Sequence, residues 1–271
     1  NSLLEMVLPL WWPSPTRRRF LRGVRFLHDT VDRQIRAQRQ AARQGENILS
    51  RLLDTRDEDG QAMSDAQIRA EIMTLLLAGH ETTANAMSWC WYLLALHVEV
   101  EREMREEVAA ALDGRVPTMG DLSRLPFVGQ VLAEAMRLYP PAWILHARVA
   151  QIHDRLSSGH TIPTGMQVFL SPYAMQRDPA VFADPDRFDP DRFAPSQQSQ
   201  ISAYGYFPFG GGARKCLGEP FAMLEGMLVL ATLSQRVRLT LLPGQTIQPD
   251  PLLTLRPKTA VMMQVQRSEN S

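Results

Sequence analysis

The stretch Phe207-Pro208-Phe209-Gly210-Gly211-Gly212-Ala213-Arg214-Lys215-Cys216-Leu217-Gly218 places one cysteine near the end of a glycine-rich run. Glycine lets the backbone turn tightly and approach a flat ligand closely, so the stretch predicts a loop over residues 207–218. The backbone amides of such a loop, with the cationic Arg214 and Lys215, would favour the thiolate form of Cys216. Because the thiolate is the form of cysteine that binds a metal, the loop predicts Cys216 as a metal ligand.

Two other interpretations of this stretch are a structural cysteine buried in a loop and a phosphate-binding turn. A phosphate-binding P-loop needs Gly-x-x-x-x-Gly-Lys followed by serine or threonine, whose hydroxyl binds magnesium. In this chain Cys216 follows Lys215, so the position of that hydroxyl holds a thiol instead. The metal-ligand interpretation is favoured over both.

The loop resembles the haem-binding signature of the cytochrome P450 family, Phe-x-x-Gly-x-x-x-Cys-x-Gly, which Phe209, Gly212, Cys216 and Gly218 match. In that family a cysteine thiolate holds the haem iron. The resemblance implies a mainly α fold, a helix-rich haem domain with small β-sheets, and haem b (iron protoporphyrin IX) as cofactor. It also implies that Arg214 binds a haem propionate, a role that suits a guanidinium.

A long helix is predicted from about residue 64 to residue 97. Ser64 and Gln67 have the spacing of a capping box at its start. Apolar residues then recur at helical spacing, and no proline follows until Pro117. We expect this helix to cross the core of the protein.

The segment Ala78-Gly79-His80-Glu81-Thr82-Thr83 lies within this helix and is similar to the oxygen-activation motif of cytochromes P450. Gly79 would leave room for a planar cofactor or for dioxygen. Glu81 and Thr82 would form a catalytic pair of acid and alcohol that relays protons. For this segment alone, a surface carboxylate beside a helix-packing glycine is an equally good interpretation.

Glu134 and Arg137 lie three positions apart on a helix predicted at about 127–138, so they share one helix face. Most pairs of this kind are solvated and contribute less than ~1 kcal/mol. The pair nevertheless matches the Glu-x-x-Arg motif of the family. The segment Phe188-Asp189-Pro190-Asp191-Arg192-Phe193 resembles the family loop whose arginine completes a buried network. The resemblance implies that Glu134, Arg137 and Arg192 form a structural network that locks the cysteine loop.

Candidate contacts with the second haem propionate and with substrate follow from the same resemblance. His146 and Arg148 lie where relatives often place a propionate-binding arginine, although a histidine satisfied within the core is an equally good interpretation of His146. Three segments would line the substrate pocket, and their residues are Leu75, Ala78, Gly79, Thr83, Ala142, Trp143, Ile144, Leu252 and Leu253. This lining is apolar and predicts a small apolar substrate, whereas residues of this kind in helices are also common in plain protein cores.

The remaining elements are predicted from periodicity. The charged stretch 99–112 predicts an exposed helix, and residues 221–233 predict another helix directly after the cysteine loop. Strands are predicted at Ile144–Ala150, Thr161–Pro163, Gln167–Leu170, Val237–Leu242 and Val261–Gln266.

Composition excludes some partners and suggests a compartment. Lysine plus arginine equals aspartate plus glutamate at 29 each, which argues against a nucleic-acid partner. The chain has two cysteines, Cys90 in an apolar helical run and Cys216 in the loop. This usage is typical of a reducing cytoplasm, with Cys90 as an inert buried thiol.

The resemblance covers residues 1–271 and implies the C-terminal portion of a single catalytic domain, with its N-terminal part missing. None of the five tryptophans has an arginine four positions later, so the Trp-x-x-x-Arg motif of the family is absent from this sequence. The implied function is a monomeric haem-thiolate monooxygenase that uses dioxygen and electrons from a separate ferredoxin or flavodoxin-type donor. The alternatives are a truncated, non-catalytic haem-binding remnant and a relative that rearranges peroxides, which the Glu81-Thr82 pair disfavours.

Overall fold

The computed structural model describes residues 14–40, 47–202 and 204–267. Within these ranges the α-helices are α1 Pro15–Gln40, α2 Ile48–Asp54, α3 Asp65–Leu96, α4 Val98–Leu112, α5 Pro126–Leu138, α6 Pro172–Met175, α7 Pro195–Gln198 and α8 Glu219–Arg236. Short 3₁₀ helices cover Met119–Arg124, Pro190–Phe193 and Gly212–Arg214. The fold is helix-rich, as the sequence predicts.

The strands form small antiparallel pairs. They are β1 Arg148–Val149, β2 Asp154–Arg155, β3 Thr161–Ile162, β4 Gln167–Val168, β5 Val237–Leu241, β6 Pro249–Pro251, β7 Leu255–Pro257 and β8 Met263–Arg267. β1 pairs with β4, β2 with β3, β5 with β8 and β6 with β7. The longest ladder runs from the pair Val237–Arg267 to the pair Leu241–Met263.

The chain divides into two compact units, Asn1–Ala78 and Gly79–Ser271. In the first unit, α1 and the beginning of α3 bury a small apolar cluster of Val31, Ile35 and Ile68. Two ion pairs hold these helices together: Arg39 with Asp65, and Arg69 with Asp32 at 2.6 Å. The capping box at the start of α3 has formed, since the backbone amide of Gln67 donates to Ser64 Oγ at 3.3 Å.

The core of the second unit is built by the end of α3 together with α4, α5 and α8. Ten of the 13 residues of α5 are buried, so this helix lies at the centre of the unit. α4 buries Met104, Val108 and Leu112, which recur every four residues and form one apolar face. The prediction that this stretch is an exposed helix is therefore wrong for that face.

α5 and α8 approach each other closely at Gly226. A Cβ atom at this position would lie 2.6 Å from Cδ2 of Leu132 on α5. Real Cβ contacts are essentially never this short, and Leu132 is itself 2 % exposed and held by the core. Glycine is therefore what allows α8, the helix after the cysteine loop, to pack at this depth.

The long helix and the Glu-x-x-Arg helix begin and end within a residue of their predicted bounds. The strand predicted over residues 144–150 is reduced to Arg148–Val149, so His146 lies outside a strand. Leu145 makes a single backbone bond to Leu170 in the region before β1. The hairpin of β6 and β7 escapes sequence reasoning because three of its six residues are proline, which strands disfavour.

Candidate functional site

The loop at 207–218 holds Cys216 through its own backbone. The amide of Cys216 donates to the carbonyl of Phe209 at 2.9 Å, and the amide of Lys215 donates to that of Gly212 at 3.1 Å. Gly210 and Gly212 adopt φ values of +73° and +66°, which side-chain-bearing residues rarely adopt. The result is a compact turn that leaves the Cys216 thiol exposed, three residues before α8 begins.

The Cys216 sulfur lies near a glycine, and charged side chains lie in the same turn. A Cβ atom at Gly218 would lie 3.7 Å from Sγ of Cys216. Lys215 forms an ion pair with Glu219 at 2.6 Å, and Arg214 is exposed to solvent. Both cations predicted beside the sulfur thus lie in the same turn as Cys216.

Two hydrogen bonds anchor the start of this loop, one to α5 and one to Gln176, which directly follows α6. The hydroxyl of Tyr206 donates to the carbonyl of Ala133 at 3.1 Å. The amide of Phe207 donates to Oε1 of Gln176 at 3.0 Å. Beside these anchors lies an open cavity of about 600 Å³, lined in part by aromatic residues of the loop and by Lys215.

Gln176 links this loop to the centre of α5. Its Nε2 donates to the carbonyls of Met136 and Arg137, at 3.1 and 3.0 Å, at the end of that helix. The side chain is fully buried, and its amide satisfies both groups while accepting from Phe207. Sequence reasoning missed Gln176, because a single glutamine after a proline-led turn carries no recognisable signal.

The structure brings Glu134, Arg137 and Arg192 together. Arg137 forms a two-pronged contact with Glu134, at 2.6 Å from Nε and 2.8 Å from Nη2, and both side chains are fully buried. Nε of Arg192 lies 3.5 Å from Glu134, and its Nη2 donates to the carbonyl of Asp184 at 2.9 Å. The predicted trio is therefore a buried cluster and not a solvated surface pair.

Backbone groups complete this cluster. Nη1 of Arg137 donates to the carbonyls of Gln176 and Pro185, each at 2.7 Å, and the amide of Asp189 donates to Glu134 at 2.9 Å. Burial raises the pKa of Glu134, and the bonds from Arg137 and Asp189 oppose that shift. The cluster thus ties residues 176–189 to α5, and Gln176 continues the link to the cysteine loop.

Glu81 lies on α3 and contacts the turn between β6 and β7. Its Oε1 accepts a hydrogen bond from the hydroxyl of Thr254 at 2.7 Å. Thr82 follows it and is half-buried, whereas Gly79 has open space where a side chain would be. Thr254 was missed by sequence reasoning, although it directly follows Leu252 and Leu253, which were predicted to line the pocket.

The remaining predicted residues are exposed or half-buried. Within the second unit, Ile144 is 37 % exposed and Leu253 is 81 % exposed, and the indole of Trp143 donates to the carbonyl of Leu252 at 2.9 Å. Ala142 and Thr83 are half-buried, and His146 and Arg148 are exposed. In the first unit, Leu75 and Ala78 are also exposed. The structure thus brings Trp143 and Leu252 into contact.

The two cysteines differ in burial. Cys90 is fully buried in α3, and this burial raises the pKa of its thiol to about 12. It lies in the apolar core beside Trp91 and Leu94. Cys216 is the cysteine that solvent or a ligand can reach.

The family model of cytochrome P450 matches residues 2–265 of the chain. The chain belongs to the cytochrome P450 family. It is 39 % identical over 246 residues to cyclooctatin synthase of Streptomyces melanosporofaciens, a match that covers 90 % of this chain and 53 % of that protein. It is 38 % identical to pentalenene oxygenase of Streptomyces avermitilis, with 90 % and 54 % covered. The chain thus spans about half the length of these curated relatives.

Solved P450 structures confirm the mainly α fold with small β-sheets. Retinoic-acid-bound cyanobacterial CYP120A1 superimposes with a TM-score of 0.87 and 31 % identity, over 96 % of this chain and 60 % of that one. The haem domain of a cytochrome P450DA mutant gives a TM-score of 0.90 at 29 % identity, over 98 % and 58 % of the two chains.

The residues present fit the haem cofactor that the P450 family implies. The thiol of Cys216 is exposed on a turn that its own backbone bonds fix. Gly79 and Gly212 leave open space in which a Cβ atom would meet nothing within 4 Å.

In the described residues no helix is long and apolar enough to cross a membrane.

Proposed function

We propose that this P450 chain is part of a haem-thiolate monooxygenase that inserts one atom of dioxygen into an apolar organic substrate. The observation that carries the proposal is the exposed Cys216 thiol, held on a turn anchored to a buried ionic cluster. Haem b, when bound through this thiolate, would supply the activation of dioxygen with electrons from a reductant.

The protein's own residues would bind and orient this cofactor. Cys216 is the proposed iron ligand, and Phe209, Gly212 and Gly218 shape the turn around it. Arg214, with His146 or Arg148, would bind the two propionates through charge-assisted hydrogen bonds. The cluster of Glu134, Arg137 and Arg192 would keep the loop in place without contacting substrate.

Glu81 and Thr82 are proposed as the catalytic pair. A carboxylate followed by a hydroxyl on one helix can take up a proton and pass it on toward dioxygen. Gly79, about one turn of helix before Thr82, has the open space that such an approach needs. The segment thus offers proton-transfer groups next to a position without side-chain bulk.

An apolar, terpene-like substrate is proposed for the pocket. Trp143, Ile144, Leu252 and Leu253 supply an apolar surface in the second unit, and Leu75 is an apolar residue of α3 in the first. The names of two relatives, cyclooctatin synthase and pentalenene oxygenase, fit this chemistry. Apolar pockets with a few polar groups are typical of small-molecule sites.

A separate ferredoxin or flavodoxin-type protein is proposed as the electron donor. Arg214 and Lys215 lie on the exposed turn, and Lys215 also lines the open cavity beside it. Arg214 beside the Lys215–Glu219 ion pair gives this turn a net positive charge, which would steer an acidic partner. Exchanging both cations for glutamate should slow reduction by such a donor at low salt. A cytoplasmic location is proposed from the cysteine usage, and a monomeric state is proposed from the family resemblance.

The second candidate is a haem-binding remnant without catalytic activity. It is favoured by the exposure of residues that would line the pocket, such as Leu253 at 81 %, and of Leu217 beside the cysteine at 95 %. A pocket this open would not exclude water from a bound substrate.

The carbon-monoxide difference spectrum of the reduced protein, with Cys216→Ser as control, tests both candidates. A strongly red-shifted Soret band that disappears in the control supports thiolate ligation and justifies a screen with terpene hydrocarbons. Haem uptake with that band but no product from any hydrocarbon would favour the remnant. An unshifted band in the unaltered protein would contradict the proposed function.

A further inference from the structure

Thr254 contacts the proposed proton-transfer carboxylate from a distant part of the chain. It lies in the turn between β6 and β7, and its Oγ1 donates to Oε1 of Glu81 at 2.7 Å across 173 residues of sequence. Thr254 is 7 % exposed. A hydrogen bond from a hydroxyl to an ionised carboxylate is stronger than one between two neutral groups, and here the buried hydroxyl meets the carboxylate of an exposed residue of α3.

Asn85 fixes the direction of this hydrogen bond. Its Nδ2 donates to Oγ1 of Thr254 at 3.0 Å. A hydroxyl has one hydrogen and accepts through its lone pairs, so a threonine that accepts from Asn85 keeps its hydrogen for Glu81. Asn85 and Glu81 are four residues apart on α3, so both reach the same hydroxyl from one face of the helix.

The turn that carries Thr254 is itself held on three sides. The indole of Trp89 donates to the carbonyl of Leu255 at 3.0 Å. The amide of Leu255 donates to the carbonyl of Pro141 at 2.9 Å, and the indole of Trp143 donates to that of Leu252 at 2.9 Å. The hydroxyl therefore has a fixed position relative to α3, and it does not move with a free loop.

We propose that Thr254, oriented by Asn85, is a positioning residue that fixes the Glu81 carboxylate for proton transfer. By donating to Oε1 it sets the side-chain rotamer of Glu81 and leaves Oε2 as the oxygen that takes up and releases the proton. This inference rests on the proposed monooxygenase function. A merely structural tether between the hairpin and the helix would need the same bond but would leave proton transfer unchanged.

The reduction of dioxygen without organic substrate tests this role. Two electrons and two protons convert dioxygen to hydrogen peroxide, whereas four electrons and four protons convert it to two waters. The ratio of the products therefore reports proton delivery. It is measured as peroxide released per dioxygen consumed, in the haem-loaded protein with a surrogate ferredoxin and its reductase.

Five variants are compared with the unaltered protein: Thr254→Val, Thr254→Ser, Glu81→Gln, the double variant Thr254→Val/Glu81→Gln, and Thr232→Val. The last is a matched control, since its hydroxyl donates at 2.6 Å to Leu228 within α8. We expect Thr254→Val to change the peroxide share at least twofold in the same direction as Glu81→Gln. Thr254→Ser and the control should keep the original ratio, and the double variant should match Glu81→Gln alone.

Two results would overturn the inference. In the first, Thr254→Val keeps the peroxide share of the unaltered protein while Glu81→Gln changes it. In the second, Thr254→Val changes the peroxide share by the same amount with and without Glu81→Gln. Infrared difference spectra, taken between the unaltered protein and each variant, provide a readout that needs no turnover. The carboxylate band that Glu81→Gln removes should shift in Thr254→Val and return in Thr254→Ser, and an unshifted band would also refute the contact. If Glu81→Gln leaves the ratio unchanged, the proposed catalytic pair fails and the positioning role of Thr254 fails with it, whereas the infrared shift then reports only whether the Thr254–Glu81 bond is present.

Discussion

At the scale of single residues, burial decides which polar side chains in this chain are structural. Gln176 and Arg137 are fully buried, and each makes several hydrogen bonds that water cannot replace. Cys90 is buried as well, whereas Cys216 is exposed. The same residue type therefore has opposite chemistry at two positions.

The two thiols should differ in reactivity. In the haem-free protein at pH 8, we expect one thiol to react quickly with a disulfide reagent and one to remain unreactive under native conditions. The pKa of Cys90 is raised by burial to about 12, so its thiolate forms only well above that pH. Absorbance of the released thiol measures the reaction. Cys216→Ser should remove the fast phase, and a fast phase that survives this change would contradict the assignment.

Gln176→Ala should destabilise the second unit by about 1–3 kcal/mol. The change leaves the carbonyls of Met136 and Arg137 and the amide of Phe207 without their buried partner, which costs about that much. Urea unfolding measures the loss. Gln151→Ala is the matched control, since its exposed amide makes one contact and should change the stability by less than about 0.5 kcal/mol.

At the scale of elements, the position of the cysteine turn depends on how α8 packs on α5. Gly226 allows the two helices to meet where a Cβ would overlap Leu132. The sequence predicts both helices from periodicity alone, but a glycine within a helix carries no sign of which neighbour approaches it. The neighbour that packs against such a glycine can be identified only from the three-dimensional structure.

Gly226→Ala should destabilise the protein by about 1–3 kcal/mol, because Leu132 is buried and can relieve the overlap only by leaving its rotamer within the packed core or by moving with its helix. Thermal or urea unfolding measures this. Gly23→Ala on α1 is the control: nothing lies within 4 Å of its added methyl group, so it should stabilise the helix by about 0.5–1 kcal/mol. If Gly226→Ala is neutral or stabilising, the contact does not set the helix spacing.

Particular elements show what the sequence can predict. The long helix α3 follows from its capping box and its recurring apolar residues, and the Glu-x-x-Arg helix α5 ends just before the prolines at 140 and 141, so the bounds of both agree with the structure. The charged surface of α4 hides an apolar face at Met104, Val108 and Leu112, because charges in the same turns dominate the pattern. Cys216 and Glu81 carry local motifs, whereas Thr254 and Gln176 acquire their contacts only through long-range folding.

At the scale of the whole molecule, the two compact units differ in how much they bury. Among its described residues the first has a cluster of three buried apolar residues, Val31, Ile35 and Ile68, whereas the core of the second is built by four helices. Local stability follows the number of buried apolar contacts. The units should therefore differ in how often their hydrogen bonds open.

Hydrogen exchange should show this difference. We expect the amides of α1 to exchange faster than those of α5, since two of the 26 residues of α1 are buried against ten of the 13 of α5. Exchange followed by mass spectrometry of peptides measures the rates in this chain. Equal protection of the amides of both helices from exchange would contradict the expectation. It would indicate that the surface of the first unit is shielded from water in solution.

The bond from the Trp143 indole to the carbonyl of Leu252 has a consequence for how this protein can evolve. It joins positions 109 residues apart, both proposed to face substrate, and the second belongs to the turn that carries Thr254. A smaller side chain at Trp143 would enlarge the pocket and, by the same change, remove one of the three hydrogen bonds that hold that turn. New substrate preferences should therefore arise through paired changes, the second of which restores an anchor for residues 252–254.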